Sequence, residues 1–106
     1  MIINDPVGIK DQVIEKLKEV FDPEIPVDIY ELGLVYELIT NTNGIVKVIM
    51  TLTAPACPAA DIILRDVQEK LSQIEGVKEA RVEITFDPPW DREMMSEEAK
   101  LELGFM

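Results

Sequence analysis

The chain has 106 residues, 47% of them hydrophobic and 29% charged, which is the balance of one small globular domain covering residues 1–106. Its 21 acidic and 10 basic residues give a formal net charge of −11, which disfavours nucleic acid, because binding nucleic acid depends on neutralising phosphates with Lys and Arg. The sequence has neither an apolar run long enough for a membrane span nor the basic and apolar regions of a signal peptide, so we expect a soluble cytoplasmic protein with no membrane partner.

Histidine is absent, and Cys57 is the single cysteine. Without histidine the chain cannot form a Ser-His-Asp or Cys-His catalytic site, and it lacks the usual general base near neutral pH. The glycine-rich fingerprints of phosphate and dinucleotide binding are also absent from the sequence. We therefore expect that the protein is not an enzyme. One cysteine cannot form an intramolecular disulfide, which agrees with a reducing compartment.

The first predicted element is an amphipathic helix. Its apolar residues recur at helical spacing: Ile9, Val13, Leu17, Val20 and Phe21. The helix should end near "FDPEIP", where two prolines break it. The segment 22–33, "DPEIPVDIYELG", then reads as a loop that is unusually rich in carboxylates.

A hairpin is predicted next. Residues 34–40 and 45–53 are rich in β-branched and apolar types and flank the turn signal "NTNG". One face of the second strand is uniformly apolar, formed by Val46, Val48, Met50 and Leu52. The opposite face mixes apolar and polar residues, so the hairpin should bury one face and leave the other partly open.

The second half of the chain predicts a helix, a strand and a short last helix. The helical stripe consists of Ala60, Leu64, Val67, Leu71 and Ile74. In "VKEARVEITF", residues 77–86, the apolar side chains alternate and should point inward: Ala80, Val82, Ile84 and Phe86. "DPP" stops this strand, and Ser96 should cap a helix over 97–103 that ends at Gly104.

The predicted order is α-β-β-α-β-α. It indicates an α+β fold, a two-layer sandwich in which helices cover one face of a small mixed three-stranded sheet.

Cys57 is the first candidate for a functional group. It precedes Pro58, and because proline is favoured at the first position of a helix, Cys57 is predicted at the N-cap. The positive end of the helix dipole would lower the pKa of the thiol there, and Asp61 in the first turn would partly offset this effect. The alternative is a structural cysteine that packs as a small apolar residue.

Other candidate residues have similar pairs of interpretations. Asp22 and Glu24 are either ligands in a site or ordinary carboxylates of a turn. Trp90 is either a packing anchor for the C-terminal segment or part of a partner surface. Met94 and Met95 either extend that partner surface or pack in the core.

Three ordered blocks carry a family resemblance: "DPEIPVDIYELGLVYEL" at 22–38, "MTLTAPACPAAD" at 50–61 and "VEITFDPPWDREMMSEEAKLELGF" at 82–105. Together they resemble the small acidic domain of the SufT-like and PaaD-like proteins, the metal-sulfur cluster biosynthetic or iron-sulfur cluster assembly family. The resemblance implies an α+β maturation factor that assists the transfer or targeting of clusters to recipient proteins. It also implies functional roles for Asp22, Glu24, Thr53 and Cys57.

The resemblance further implies partners: iron-sulfur scaffold or carrier proteins, and recipient apo-proteins. An iron-sulfur cluster usually takes four thiolates, and one chain supplies only Cys57. A homodimer would offer two Cys57 thiolates as metal ligands, and a cluster bridged in this way between subunits would be labile. Alternatively no cluster is held, and Cys57 makes a transient contact with a carrier or client.

Two further hypotheses remain open on the sequence. In one, the protein is an adapter in metalloenzyme maturation whose surface at Trp90, Met94 and Met95 docks partners, while Cys57 is structural. In the other, a thiol-dependent enzyme activates Cys57 by a lysine, a carboxylate or the helix dipole.

Overall fold

The structure is a computed structural model that describes residues 1–22, 25–53 and 60–104. The strands in these residues are β1 (Ile2–Asn4), β2 (Val35–Thr40), β3 (Ile45–Met50) and β4 (Glu79–Ile84). The helices are α1 (Lys10–Leu17), α2 (Ala60–Ser72) and α3 (Glu97–Glu102), and a single 3-10 turn spans Arg92–Met94. None of the described helices is long and apolar enough to cross a membrane.

The four strands form one mixed sheet in the order β1-β2-β3-β4. The predicted hairpin is confirmed: β2 and β3 are antiparallel, and β4 lies parallel to β3. The α+β class is confirmed as well, but the prediction of three strands is wrong, because β1 adds a short parallel strand beside β2. All three residues of β1 are exposed, so this segment lacks the alternation by which a strand is recognised in a sequence.

One face of the sheet packs against the helices. Along β3, Val46, Val48 and Met50 are buried, whereas the residues between them are only partly buried. The helix α2 packs on β4 and against α1, and its buried residues join the same hydrophobic core. The alternation in β3 therefore decides which face meets the helices, as expected for a two-layer fold.

The predicted helical stripe is largely confirmed, since Val67 and Leu71 of α2 are buried, as is Ile74 two residues beyond the end of the helix. Ile63 is buried and Leu64 only partly so, which shifts the stripe by one residue in the first turns.

Two aromatic residues that were expected to face inward are exposed instead: Phe21 (54%) and Phe86 (42%). The helix α1 ends at Leu17, so Phe21 leaves the helical stripe and forms an extended bridge with Asp28. Likewise β4 ends at Ile84, two residues before Phe86, so the alternation of the strand no longer sets the direction of that side chain.

The C-terminal segment folds back over the loop that precedes β2. Ser96 caps α3 as predicted, its hydroxyl accepting a hydrogen bond from the amide of Ala99 at 3.1 Å. The amide of Ser96 donates to the carbonyl of Glu31 at 2.8 Å, which fixes the start of α3 against that loop. Ala99 is buried in the core, so α3 closes one end of the sandwich.

Candidate functional site

The loop after α1 and the segment after β3 meet at a buried carboxylate. Asp22 is only 4% exposed, and its Oδ2 accepts a hydrogen bond from the hydroxyl of Thr53 at 3.3 Å. Its Oδ1 accepts from the amide of Ile25, also at 3.3 Å. A carboxylate that is nearly excluded from water needs such donors, because burying the charge alone is costly. The pair joins two loops that lie 31 residues apart in the sequence.

Backbone hydrogen bonds hold both loops in place. The amide of Thr51 donates to the carbonyl of Leu34 at 2.8 Å, which fixes the chain beyond β3 against the start of β2. The amide of Ile29 donates to the carbonyl of Val20 at 2.8 Å, which fixes the acidic loop against the residues that follow α1. Asp22 and Thr53 are therefore presented by anchored backbone.

Of the four residues that the family resemblance singles out, the structure brings Asp22 and Thr53 together. Cys57 and Glu24 lie outside the described residues, as does the predicted N-cap of the helix that begins near Pro58. In the sequence, Cys57 follows Thr53 by four positions and precedes Ala60, the first described residue of α2, by three. The role of Cys57 thus stays a prediction.

The donor set of the described residues does not amount to a metal site. Within 1–22, 25–53 and 60–104, no group of three His, Cys, Asp or Glu side chains could hold a metal ion. The whole sequence offers one cysteine and no histidine, so one chain cannot supply the four thiolates that an iron-sulfur cluster usually takes.

The three residues predicted as a partner surface have different surroundings. Trp90 is half-buried, and its Nε1–H donates to the carbonyl of Leu32 at 2.7 Å, as the packing-anchor interpretation requires. Met95 is 5% exposed and packs in the core, because the returning C-terminal segment carries it inward, so it cannot extend an exposed surface. Met94 is 36% exposed and lies near the hydroxyl of Tyr36.

The acidic loop contains a carboxyl group whose pKa is raised. Burial of Asp28 is the main cause, and the negative charge of Glu31 adds to it. The amide of Glu31 donates to Oδ2 of Asp28 at 3.0 Å and opposes the rise without cancelling it. The folded protein therefore holds the proton of Asp28 more tightly than the unfolded chain does.

Asp28→Asn should raise the free energy of unfolding at neutral pH. A raised pKa in the folded state means that Asp28 favours folding below its ordinary pKa of 3.8 and that this contribution is lost as the pH rises through the folded value. Asparagine removes the charge and keeps a carbonyl oxygen that can accept from Glu31. Urea unfolding of both proteins at neutral pH and below pH 3.8 should show a gain that disappears in acid.

Asp5→Asn is a control for which we expect the opposite change in the free energy of unfolding at neutral pH. Desolvation acts to raise the pKa of Asp5, but hydrogen bonds from the hydroxyl of Thr40 and from the amides of Lys10 and Ile9 lower it overall. A lowered pKa contributes stability above 3.8 that is lost as the pH falls through the folded value, so this variant should be destabilised at neutral pH. A loss for Asp28→Asn at neutral pH would contradict the assignment.

An open groove of about 870 Å³ lies on the face of the sheet away from the helices, and the sequence did not predict it. Its floor includes Glu37 and Ile49, and Tyr36, Pro88 and Met94 line its rim. The hydroxyl of Tyr36 donates to the carbonyl of Pro88 at 2.9 Å, which fixes the returning segment beside the sheet. The mixed outer face of β3 was the one sign of this groove in the sequence.

Comparison with known proteins gives a family match over most of the chain. Residues 10–84 match the sequence profile of a family described as "Iron-sulfur cluster assembly protein". A Porphyromonas gingivalis protein named "Fe-S protein maturation auxiliary factor" is 48% identical over 103 residues, which cover 97% of this chain and 98% of that protein. A Bacillus subtilis protein with the name "Fe-S protein maturation auxiliary factor YitW" is 42% identical over 97 residues, or 92% and 95% of the two chains.

A solved structure agrees with these sequence matches. The crystal structure of a domain of unknown function from Bacillus anthracis superposes with a TM-score of 0.87 at 37% sequence identity, covering 93% of this chain and 94% of that one. The fold of this chain is therefore similar to that of a solved domain over nearly the whole length of both chains.

Proposed function

Because this chain belongs to the iron-sulfur cluster assembly protein family, we propose that it assists the maturation of iron-sulfur proteins and that Cys57 is the thiol that contacts a cluster or a client. The contact between Asp22 and Thr53 is the observation that carries the assignment of the site. It ties the acidic loop to Thr53, which precedes Cys57 by four positions in the sequence, and this supports a shared site without describing Cys57 itself.

The chemistry of this site is that of a carrier or a targeting factor. A thiolate is the protein ligand that iron-sulfur clusters use, and a thiol near the first turn of a helix gains thiolate character. With one cysteine per chain, a cluster would be held between two molecules, either two copies of this protein or this protein and a scaffold, carrier or recipient. Such a cluster is cargo that can leave, and no catalytic step is required of the protein.

Cys57→Ala should reduce the maturation of a recipient by about tenfold or more, since the loss of a cluster ligand is at least as severe as the loss of a supporting residue around a metal. The assay mixes a cluster-loaded scaffold, the protein and an apo-enzyme that needs a cluster, under anaerobic conditions, and measures the rate at which enzyme activity returns. Cluster absorbance after anaerobic reconstitution with iron and sulfide is followed in parallel.

Thr53→Val tests whether the contact with Asp22 matters for the same reaction. Valine keeps the branched shape of threonine and removes the hydroxyl that Asp22 accepts from, so the rate should fall by about fivefold, as for the loss of one hydrogen bond. Thr42→Val is the matched control, because Thr42 is exposed in the turn between β2 and β3. Equal maturation by wild type and Cys57→Ala would overturn the proposal and favour an adapter with a structural cysteine.

A further inference from the structure

The outer face of the sheet carries a row of side chains that alternates between apolar and acidic residues. Strand pairing places Ile2 of β1 beside Glu37 of β2, Glu37 beside Ile49 of β3, and Ile49 beside Glu83 of β4. Partners in register point to the same side of a sheet, so these side chains form one line across all four strands. All of them line the groove.

The groove is acidic as well as apolar. The charged side chains that line it are those of Glu37, Glu83 and Asp87, and no Lys or Arg of the described chain lines it. Met1, which carries the amino terminus, also lines it, so the lining groups combine three negative charges with one positive charge. Glu83 is paired with Lys47 at 3.1 Å, whereas Glu37 and Asp87 form no ion pair within the described residues. The carboxylates of Glu37 and Asp87 are therefore available to pair with a positive charge on a partner.

The apolar part of the groove is open to solvent. Ile2, in the edge strand β1, is 66% exposed, and Met94 is 36% exposed. Ile49 also lines the groove and is only partly buried. Exposed apolar residues grouped in a concave site of this size mark a binding surface, since pockets for ligands measure roughly 300–1,000 Å³.

We propose that this groove binds a basic segment of a partner protein, in which Lys or Arg side chains alternate with apolar ones. The apolar side chains would contact Ile2, Ile49 and Met94, and the cations would pair with Glu37 and Asp87. A second copy of this chain is a poor occupant, because each copy carries a net charge of −11 and would bring acidic residues to an acidic groove. That the occupant is a protein segment rests on the proposed maturation role.

The test uses the full-length isotope-labelled protein and the seven-residue peptide Val-Ser-Lys-Ser-Val-Ser-Lys, whose valines and lysines point to the same side when the peptide is extended. We expect saturable binding with chemical-shift changes at the methyl groups of Ile2 and Ile49 and at the amide of Glu37. The same peptide with glutamate in place of lysine should not bind, because it meets like charges. Binding of both peptides alike, shifts at other surfaces, or no binding at all would overturn the proposal.

A double variant that neutralises two carboxylates of the groove distinguishes a specific binding site from attraction of the peptide by the net charge of the protein. Glu37→Gln with Asp87→Asn should weaken binding of the lysine peptide by about threefold to tenfold, as expected for two exposed ion pairs. Glu69→Gln with Glu75→Gln removes the same charge from α2 and the residues after it, in the helical layer, and should change affinity by less than about twofold. Equal weakening by the two double variants would show that net charge alone attracts the peptide.

These measurements do not depend on the role of Cys57. A protein whose Cys57→Ala variant matures recipients normally would refute the proposed thiol chemistry and leave the groove to be judged by peptide binding. Conversely, a groove that binds no peptide leaves the maturation assay unaffected.

Discussion

Gly33→Ala should destabilise the protein by about 3 kcal/mol or more, combining backbone strain with a clash. Gly33 has a φ of +77°, a conformation that costs an L-residue roughly 1–2 kcal/mol. A Cβ at this position would lie 2.7 Å from the carbonyl carbon of Met94 and 3.1 Å from its Cβ. Because the obstacle is largely backbone, relief requires that the C-terminal segment shift away from the loop.

Gly8→Ala is a matched control for this prediction. Gly8 has a φ of +76°, and nothing lies within 4 Å of a Cβ built on it. This variant should therefore show the cost of the positive φ alone, about 1–2 kcal/mol. Urea unfolding followed by circular dichroism measures both. Equal losses of unfolding free energy for the two variants would show that a clash with Met94 adds nothing to the cost of Gly33→Ala.

Trp90→Ala should cost about 2–3 kcal/mol, less than the 3–5 kcal/mol typical of a fully buried aromatic residue, because Trp90 is only partly buried. The change removes the ring that packs against the core and the donor to the carbonyl of Leu32, whose N···O distance is 2.7 Å. The melting temperature should fall by roughly 8–20 °C for a domain of this size. Differential scanning calorimetry measures the shift.

Trp90→Phe divides this loss into its two parts. Phenylalanine keeps most of the apolar contact and removes the donor, so it should cost about 1 kcal/mol, the net value of one hydrogen bond. A loss as large as that of alanine would mean that the hydrogen bond, and not the ring, holds the segment in place. A loss near zero for both variants would show that Trp90 does not anchor the segment.

The two sites should also be coupled. Gly33 and Trp90 both hold the C-terminal segment against the loop before β2, through Met94 and Leu32 respectively. Once Gly33→Ala has displaced the segment, Trp90→Ala has less left to disrupt, so the double variant should lose less than the sum of the two single losses. Because Met94, Asp87 and Pro88 line the groove, both variants should also weaken binding of the lysine peptide.

Local signals in the sequence were enough for most of the elements. The alternation in β3, the stripe of α2 and the serine cap of α3 are each formed by residues close together in the sequence. Each of these patterns indicates an element that the structure contains. Three sequence blocks were also sufficient to identify the iron-sulfur cluster assembly family, which the match over residues 10–84 confirms. Such features depend on neighbours along the chain, and periodicity records them directly.

Local periodicity was misleading where an element ends. Phe21 and Phe86 continue the patterns of α1 and β4 in the sequence, but each element stops before its pattern does. For Phe21, the backbone beyond α1 pairs with Asp28 instead of continuing the helix, and this leaves the side chain exposed. The strand β1 was missed for a related reason, since its three exposed residues are recognisable as a strand only through their pairing with β2.

The sequence by itself thus determined the α+β class, the order of the main elements, the family and the presence of a single thiol. The tertiary structure alone decided that Asp22 meets Thr53 across 31 residues and that Trp90 reaches Leu32 across 58. It also decided that residues of β1 and of the returning segment line an acidic groove on the face of the sheet away from the helices. The physical reason is that such contacts are made by chain segments distant in sequence, whose meeting depends on the packing of the whole fold and leaves no local pattern.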